Sequence, residues 1–396
     1  MCMKNIFLIL VIIISFFNST IDFDNSGTND SPTDDELVNA NFDITSEAGI
    51  LIEYQTGKVL FNKNEDKKLY PASMTKMIGL YLVLDSLEQE LIKLDDEVIV
   101  SSRAASMGGT QIFLQPNESI SIEELVKSVA INSANDAICA LAETISGSIE
   151  SFVELMNKTA KEFGCTNTNF VNPTGFDDPN HYTTAKDMSI IARNLLSFED
   201  KILQYTSKYD DYIRTDSDSP FWLVNTNKLV KFYEGCDGLK TGFTQKAGFC
   251  LTATAKRNNV RLISVVMNSK TKDIRSNDTV KLFNYGFSRT EALKVYSKDQ
   301  IIVEHTFNNA EQEKTPLYVK EDIYVCGEKG IKKEDLEITY SISKDSAPIS
   351  KDEVIGILII KCNDVEYEYD LYAYEDVDKL KFGSIYLKSL LEMMFN

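Results

Sequence analysis

The sequence contains few histidines and fewer basic than acidic residues, and each shortage excludes a class of function. Its 396 residues include 2 histidines, His181 and His305, and neither lies in a metal-ligand pattern such as His-Glu-x-x-His. A catalytic zinc site commonly takes two or three histidines, so we expect neither a metal centre nor a cofactor that depends on one. Lys and Arg number 41 against 60 Asp and Glu, which gives a net charge of −19. A nucleic-acid partner requires a basic face, so that class is excluded too.

Cysteine is present without a recognisable pattern. The 7 cysteines are scattered and include no Cys-x-x-Cys pair. The sequence therefore predicts no disulfide framework, and most of these thiols should be small buried hydrophobic residues. His181 follows the polar run from Asp177 to Asn180, and we expect it to be an exposed loop residue. With 43% hydrophobic residues the chain can nevertheless bury a globular core.

The amino-terminal residues predict export. Residues 1–21 carry Lys4 and then an apolar run from Ile6 to Phe17, which is typical of a secretory signal peptide and short for a membrane span. No Ala-x-Ala site follows, so an uncleaved anchor is the alternative. Residues 22–44 contain six acidic residues up to Glu36 and no basic one in that stretch, which predicts a flexible linker. We expect an extracytoplasmic protein, in the cell wall or at the outer face of the membrane.

The remaining chain predicts an α+β domain over residues 45–290, with strands at both ends and helices between them. Strands are predicted at Gly49–Tyr54, Lys58–Phe61, Gly238–Thr244, Phe249–Ala255 and Val260–Met267. Helical apolar blocks are predicted at Met77–Leu84, Ile122–Ile131, Ala137–Ile145 and Ile190–Leu196. The first and last strands should then close one sheet.

Residues 291–377 change character and predict a small all-β domain. Short apolar runs alternate with charged turns; they are Ile301–Val303, Leu317–Val319, Ile323–Val325, Leu336–Tyr340, Val354–Ile360 and Tyr367–Ala373. Residues 378–396 place Phe382, Ile385 and Leu390 near helical spacing. This terminal helix has two interpretations, an interfacial membrane contact or a helix docked on the β domain.

Three short motifs carry candidate chemistry. Ser73 and Lys76 form Ser-x-x-Lys at the expected start of a helix, where residues three apart share a face. Ser133 and Asn135 form Ser-x-Asn, which supplies a hydroxyl for proton relay and an amide for substrate. Lys240-Thr241-Gly242 on a strand adds a cation, a hydroxyl and a close approach of ligand to backbone.

The order of these motifs is more specific than any one of them. A second Ser-x-x-Lys match, from Ser341 to Lys344, lies in a charged segment with no helical pattern. The order Ser-x-x-Lys, Ser-x-Asn, Lys-Thr-Gly on a helix start, a helix-rich region and a strand edge indicates a serine acyl-transfer enzyme.

The sequence resembles the serine D-alanyl-D-alanine carboxypeptidases, which are low-molecular-mass penicillin-binding proteins. Beside the three motifs, the resemblance rests on runs at Gly108–Leu114, Asn172–Phe176, Tyr182–Asp187, Asn225–Asn227 and Gly238–Thr244. It covers about residues 45–290 and implies the penicillin-binding or serine β-lactamase-like catalytic fold. The β-rich remainder fits the family's membrane-proximal second domain.

The resemblance implies a role for each motif residue. Ser73 would be the acylated nucleophile with Lys76 as its base, and Ser133 and Asn135 would form the second motif. The substrate carboxylate would bind Lys240, Thr241 and Arg275. Gly242 completes the third motif, and the N–H groups of Ser73 and Phe243 would form the oxyanion hole.

The function implied is removal of the terminal D-alanine from peptidoglycan stem pentapeptides during cell-wall synthesis. It also implies covalent binding of β-lactams. Two alternatives stay open. A class A-like β-lactamase is disfavoured because no Glu-x-x-Leu-Asn run lies between the second and third motifs. A non-catalytic penicillin- or wall-binding module is disfavoured because every motif residue is intact.

Overall fold

The computed structural model describes residues 42–362 and 365–381. Ile44 begins a compact unit that holds both the helical and the β-rich parts of the chain. The predicted signal or anchor, nearly all of the predicted linker and residues 382–396 of the predicted terminal helix lie outside the described residues. Residues 378–381, the predicted start of that helix, are not helical, because Lys379 forms a β-bridge with Ala310. None of the helices described is long and apolar enough to cross a membrane.

A five-stranded antiparallel sheet combines strands from residues 48–63 with strands from residues 236–269. Its strands are β1 (Ala48–Glu53), β2 (Val59–Lys63), β7 (Cys236–Thr244), β8 (Gly248–Arg257) and β9 (Val260–Ser269), in the spatial order β2-β1-β9-β8-β7. β1 pairs with β9, with Ala48 opposite Met267 and Glu53 opposite Leu262. The predicted closure of one sheet by its first and last strands is confirmed, and β7 with the Lys-Thr-Gly motif lies at an edge.

Most helices lie between β2 and β7. They are α1 (Lys76–Glu88), α2 (Ser102–Ala105), α3 (Ile122–Lys127), α4 (Asn135–Ser146), α5 (Ile149–Glu162), α6 (Ala185–Leu195), α7 (Glu199–Thr206) and α8 (Leu229–Phe232), with α9 (Lys272–Arg289) after the sheet. Two hairpins accompany them, β3 (Glu97–Ile99) with β4 (Ser119–Ser121), and β5 (Asp210–Ile213) with β6 (Phe221–Val224). Serine or threonine N-caps start five helices by accepting a backbone N–H; they are Ser101, Ser121, Ser148, Thr184 and Thr271.

Helix α1 lies at the centre of the main hydrophobic core. Nine of its 13 residues are buried, from Lys76 to Ser86. A helix that is apolar around most of its circumference must be enclosed on all sides, and α1 contacts α4, α5 and α6 as well as β7. This burial fixes the position of the residues at its amino-terminal end.

Seven strands in two sheets are described in the β-rich part. β10 (Thr290–Tyr296) pairs with β13 (Ile323–Glu328), while β11 (Ile301–His305), β12 (Thr315–Tyr318), β14 (Glu337–Ile342), β15 (Val354–Cys362) and β16 (Val365–Ala373) form a sheet in the order β11-β12-β16-β15-β14. The all-β prediction is confirmed. All six predicted runs are strands or overlap them, whereas β10 was not predicted because it continues directly from α9 without a turn signal.

Candidate active site

Ser73 and Lys76 are in direct contact at the start of α1. Ser73 lies in a 3₁₀ turn, Ala72–Thr75, that leads into the helix, and its Oγ is 2.9 Å from Lys76 Nζ. The spacing of three residues brings both side chains to one face, as predicted. Lys76 Nζ also donates a hydrogen bond of 2.8 Å to the carbonyl oxygen of Thr174.

Burial prepares Lys76 to act as a base. Its side chain is fully buried, and the loss of hydration lowers its pKa to about 7, although Cys139 and Asp136 favour the charged form. An amine with this pKa is substantially unprotonated near neutral pH. It can then accept the proton of the Ser73 hydroxyl.

Ser133 and Asn135 occupy a local distortion that the sequence did not predict. Helix α3 continues into a π-helical turn, Ser128–Asn132, which ends at Ser133 in the left-handed region with φ 68°. In the described part of the chain, Ser133 Oγ and Asn135 Oδ1 are buried and have no hydrogen-bond partner. Asn135 Nδ2 donates to the carbonyl oxygen of Gly108 at 2.7 Å. Strain and unpaired polar atoms together are typical of a ligand-binding position.

The third motif lies against the Ser73 turn. A Cβ built on Gly242 would lie 2.7 Å from the carbonyl oxygen of Pro71 and 3.3 Å from the nitrogen of Ser73, so only glycine allows β7 to approach this closely. Lys240 is fully buried and its Nζ donates to the Thr241 carbonyl oxygen at 3.1 Å. Thr241 Oγ1 bonds to Thr226 Oγ1 at 2.7 Å. Burial, then the charges of Lys76 and Arg275, hold the pKa of Lys240 well below its usual value.

Arg275 and Phe243 complete the predicted set. Arg275 lies in the first turn of α9, is buried, and its Nε has no hydrogen-bond partner among the described residues. Burial lowers its pKa. Phe243 is half exposed, with its ring stacked on Phe249 at 4.3 Å between centroids. Lys240 therefore lies close enough to both Lys76 and Arg275 for their charges to affect it, and Lys76 in turn contacts Ser73.

The predicted loop position of His181 is confirmed, but its predicted exposure is wrong. This residue lies in a loop, but only 1% of its surface is exposed, and its Nε2 is 2.8 Å from Thr75 Oγ1. The Val171 N–H donates to Nδ1 at 3.1 Å. Burial lowers the pKa of His181 to about 4, so the ring is neutral at neutral pH and carries its proton on Nε2. The sequence signal was its place between the family-like runs at 172–176 and 182–187.

The second histidine and the cysteines form no further reactive cluster among the described residues. His305 pairs with Asp345 at 2.6 Å in the β-rich part. Cys139, Cys165, Cys236, Cys250 and Cys326 are buried thiols. Within residues 42–362 and 365–381, no group of three or more His, Cys, Asp or Glu residues could hold a metal ion.

Comparisons with known proteins agree with this geometry. Residues 34–271 match the family described as D-alanyl-D-alanine carboxypeptidase, and residues 291–379 match the penicillin-binding protein 5 C-terminal domain. The chain is 43% identical over 339 residues to the D-alanyl-D-alanine carboxypeptidase DacF of Bacillus subtilis, covering 85% of this chain and 87% of that protein.

Solved structures give the same result. Penicillin binding protein 5 from Haemophilus influenzae superposes with a TM-score of 0.65 and 33% identity, covering 85% of this chain and 99% of that one. Penicillin-Binding Protein D2 from Listeria monocytogenes, in its ampicillin-bound form, has a TM-score of 0.56 and 30% identity and covers 62% of this chain and 99% of that one.

Proposed function

The chain belongs to the D-alanyl-D-alanine carboxypeptidase family of low-molecular-mass penicillin-binding proteins, and from that premise we propose the residues through which it acts. It is a serine-type hydrolase that removes the terminal D-alanine from peptidoglycan stem peptides and binds β-lactams covalently. The observation that carries the residue assignment is the 2.9 Å contact between Ser73 Oγ and a buried Lys76 amine.

Acylation begins when Lys76 takes the hydroxyl proton of Ser73. The Ser73 oxygen attacks the carbonyl carbon of the penultimate D-alanine, and the backbone N–H groups of Ser73 and Phe243 donate to the developing oxyanion. One such donor commonly contributes about 10²-fold to 10³-fold in rate. Ser133 relays the proton to the leaving amine as the C–N bond breaks, and free D-alanine departs.

Substrate binding uses the cations and amides that surround Ser73. Lys240, Thr241 and Arg275 bind the terminal carboxylate, and charge-assisted hydrogen bonds of this kind are about twice as strong as neutral ones. Asn135 holds the substrate amide, and Gly242 lets the peptide approach β7. Water then hydrolyses the ester: one of its protons passes to Ser73 Oγ as the bond between the acyl carbon and this oxygen breaks, which restores the hydroxyl and leaves Lys76 as the free amine.

A labelling experiment tests this assignment. Wild-type protein should label with fluorescent penicillin and release D-alanine from diacetyl-Lys-D-Ala-D-Ala, measured by mass, whereas Ser73→Ala should do neither. Ser341→Ala is the matched control because Ser341 begins the second Ser-x-x-Lys match, whose Lys344 is paired with Glu353. Equal labelling of wild type and Ser73→Ala would refute the nucleophile. Labelling without D-alanine release would favour a non-catalytic binding module. Rapid hydrolysis of penicillin would favour a β-lactamase.

We also propose how the protein is placed outside the cytoplasm. Action on peptidoglycan is extracytoplasmic, and residues 1–21 act as the export signal or anchor, followed by the linker at 22–44. Residues 45–290 are the catalytic domain, and the β domain at 291–377 presents it to the wall. Within the predicted range 378–396, residues 382–396 contact the outer face of the membrane as an amphipathic helix. Loss of membrane-fraction protein after deletion of residues 382–396, with labelling retained, is the expected result.

A further inference from the structure

A buried hydrogen-bond bridge lies directly behind the Ser73 turn. His181 Nε2–H donates to Thr75 Oγ1 at 2.8 Å, and its Nδ1 accepts from the Val171 N–H at 3.1 Å. Thr75 and His181 are both essentially inaccessible to solvent. The imidazole therefore joins the turn that carries Ser73 to the strand-like segment that precedes residue 172.

The loop that follows Val171 supplies the second contact of the Lys76 amine. Asn172 Oδ1 accepts from the Gly175 N–H at 2.7 Å, from Thr174 Oγ1 at 2.9 Å and from the Phe176 N–H at 3.1 Å, which closes the loop into a tight turn. Gly175, at φ 87°, lies so close to the Ser73 turn that a Cβ would be 1.9 Å from the Ala72 carbonyl oxygen. This contact places the Thr174 carbonyl oxygen 2.8 Å from Lys76 Nζ.

Amine geometry explains why this carbonyl matters. A neutral lysine amine has two hydrogens and one lone pair, and only the lone pair can accept a proton. When Thr174 accepts one N–H, rotation of the amine is restricted and its lone pair can face Ser73 Oγ, 2.9 Å away. Without that acceptor the amine rotates freely and is a less effective base.

We propose that His181 is a positioning residue for the acylation step: by bridging Thr75 and Val171, it holds the Thr174 carbonyl against Lys76 and directs the amine lone pair to Ser73. The inference rests on the proposed roles of Ser73 and Lys76. His181 itself transfers no proton and touches no substrate.

The charge state of the bridge suits this role. The ring must stay neutral, because a protonated ring would direct a second N–H at the Val171 N–H. Burial keeps it neutral and outweighs the facing carboxylates of Asp178 and Asp177, which favour protonation. The groups that face Lys76 are Cys139 and Asp136 on α4 and Lys240 on β7, and none of them belongs to the bridge.

Two substitutions cut the same bond from opposite sides. Thr75→Val is nearly isosteric and removes the acceptor, and His181→Asn retains an oxygen near Nδ1 for Val171 while losing the donor to Thr75. We expect each to lower the rate constant for acylation by benzylpenicillin about tenfold to 10²-fold, with the dissociation constant of the preceding complex within about twofold. The double variant should be no slower than the slower single variant, because both changes remove one interaction.

The pH dependence of acylation distinguishes a positioning role from a loss of stability, because a loss of stability alone would not shift its midpoint. If the bridge also keeps water from Lys76, its loss should raise the pKa of the amine toward its ordinary value and shift the midpoint of acylation to higher pH. Thr75→Ser keeps the hydroxyl and should restore the wild-type rate and midpoint. Ser86→Ala is the matched control. It removes a buried hydroxyl that donates to the Leu82 carbonyl oxygen, at the opposite end of α1 from Lys76.

The outcomes separate the inference from the proposed function. Unchanged acylation in Thr75→Val and His181→Asn, or additive effects in the double variant, would overturn the positioning role, while Ser73→Ala still fails to label. If Ser73→Ala labels normally, the proposed function itself has failed. Should His181→Asn not fold, Thr75→Val against Thr75→Ser decides the question alone.

Discussion

At the scale of single residues, the main feature of the site is Lys76, whose burial disfavours the protonated form of its amine. Lys76 is 0% exposed and lies beside Lys240, which is 1% exposed, so two amines share a region with little water. Removing hydration from a cation costs free energy, and this cost appears as a pKa near 7 for Lys76. In the proposed mechanism the free amine is the form that activates Ser73.

Acylation should therefore increase with pH through the titration of Lys76. Because the folded-state pKa is lowered to about 7, the amine is charged and inactive below that value and free above it. Asp136 favours the charged form, so Asp136→Asn should lower the pKa further and move the midpoint of the benzylpenicillin acylation rate to lower pH. Stopped-flow measurement from about pH 5 to about pH 9 checks both statements. A midpoint that moves upward would contradict the electrostatic role of Asp136.

At the scale of elements, α9 is held in place by a buried contact that is remote in sequence. Asp278 Oδ2 accepts from the Ser46 N–H at 2.7 Å and from Ser46 Oγ at 2.6 Å, and Ser46 Oγ lies 2.6 Å from Ser269 Oγ. The contact joins the residues before β1, the end of β9 and α9. Arg275 lies one turn earlier on this helix, so the contact also positions the backbone that carries Arg275.

Removal of this carboxylate should destabilise the fold. Asp278→Ala leaves the Ser46 N–H and hydroxyl buried without their acceptor, and we expect the free energy of unfolding to fall by about 2–4 kcal/mol. Lys281→Ala is the control, since Lys281 contacts the same carboxylate at 3.8 Å from a half-exposed position and should contribute less than about 1 kcal/mol. Urea unfolding of both variants provides the comparison. Equal losses would show that the exposed ion pair, rather than the buried contact, stabilises α9.

At the scale of the whole molecule, the net charge and the local charge of the cleft have opposite signs. The chain carries −19 overall, while Lys240 is close enough to interact electrostatically with Lys76 and Arg275, and Lys76 contacts Ser73. The acidic surface repels an anionic ligand over long distances, and dissolved salt screens this long-range repulsion. Buried cations act at contact and are screened much less.

Salt should therefore accelerate the reaction with an anion. We expect the second-order acylation rate constant of benzylpenicillin, which carries one negative charge, to rise about twofold between about 20 mM and about 300 mM NaCl. Ampicillin, a zwitterion with the same carboxylate, is the control and should change little. A rate that falls with salt for both ligands would mean that the cationic cleft, not the acidic surface, controls association.

Much of this protein could be predicted from its sequence because the signals are local. Alternating or continuous apolar runs indicated β1, β7, β8, β9 and six strands of the β-rich part, since side-chain periodicity follows backbone geometry. The Ser-x-x-Lys spacing places Ser73 and Lys76 on one face through helix geometry alone. The hairpins β3–β4 and β5–β6 were not predicted because each has strands of only three or four residues.

The sequence by itself determined which groups can react: a hydroxyl and an amine three residues apart, a second hydroxyl with an amide, and a cation on a strand edge. Only the tertiary structure decided their state. Burial in the core around α1 is what lowers the pKa of Lys76, and a π-helical turn without glycine ends at Ser133 in its left-handed conformation. His181 shows the difference most clearly, because a polar sequence context indicated exposure, whereas the folded chain buries the ring against Thr75, which is 106 residues away in the sequence.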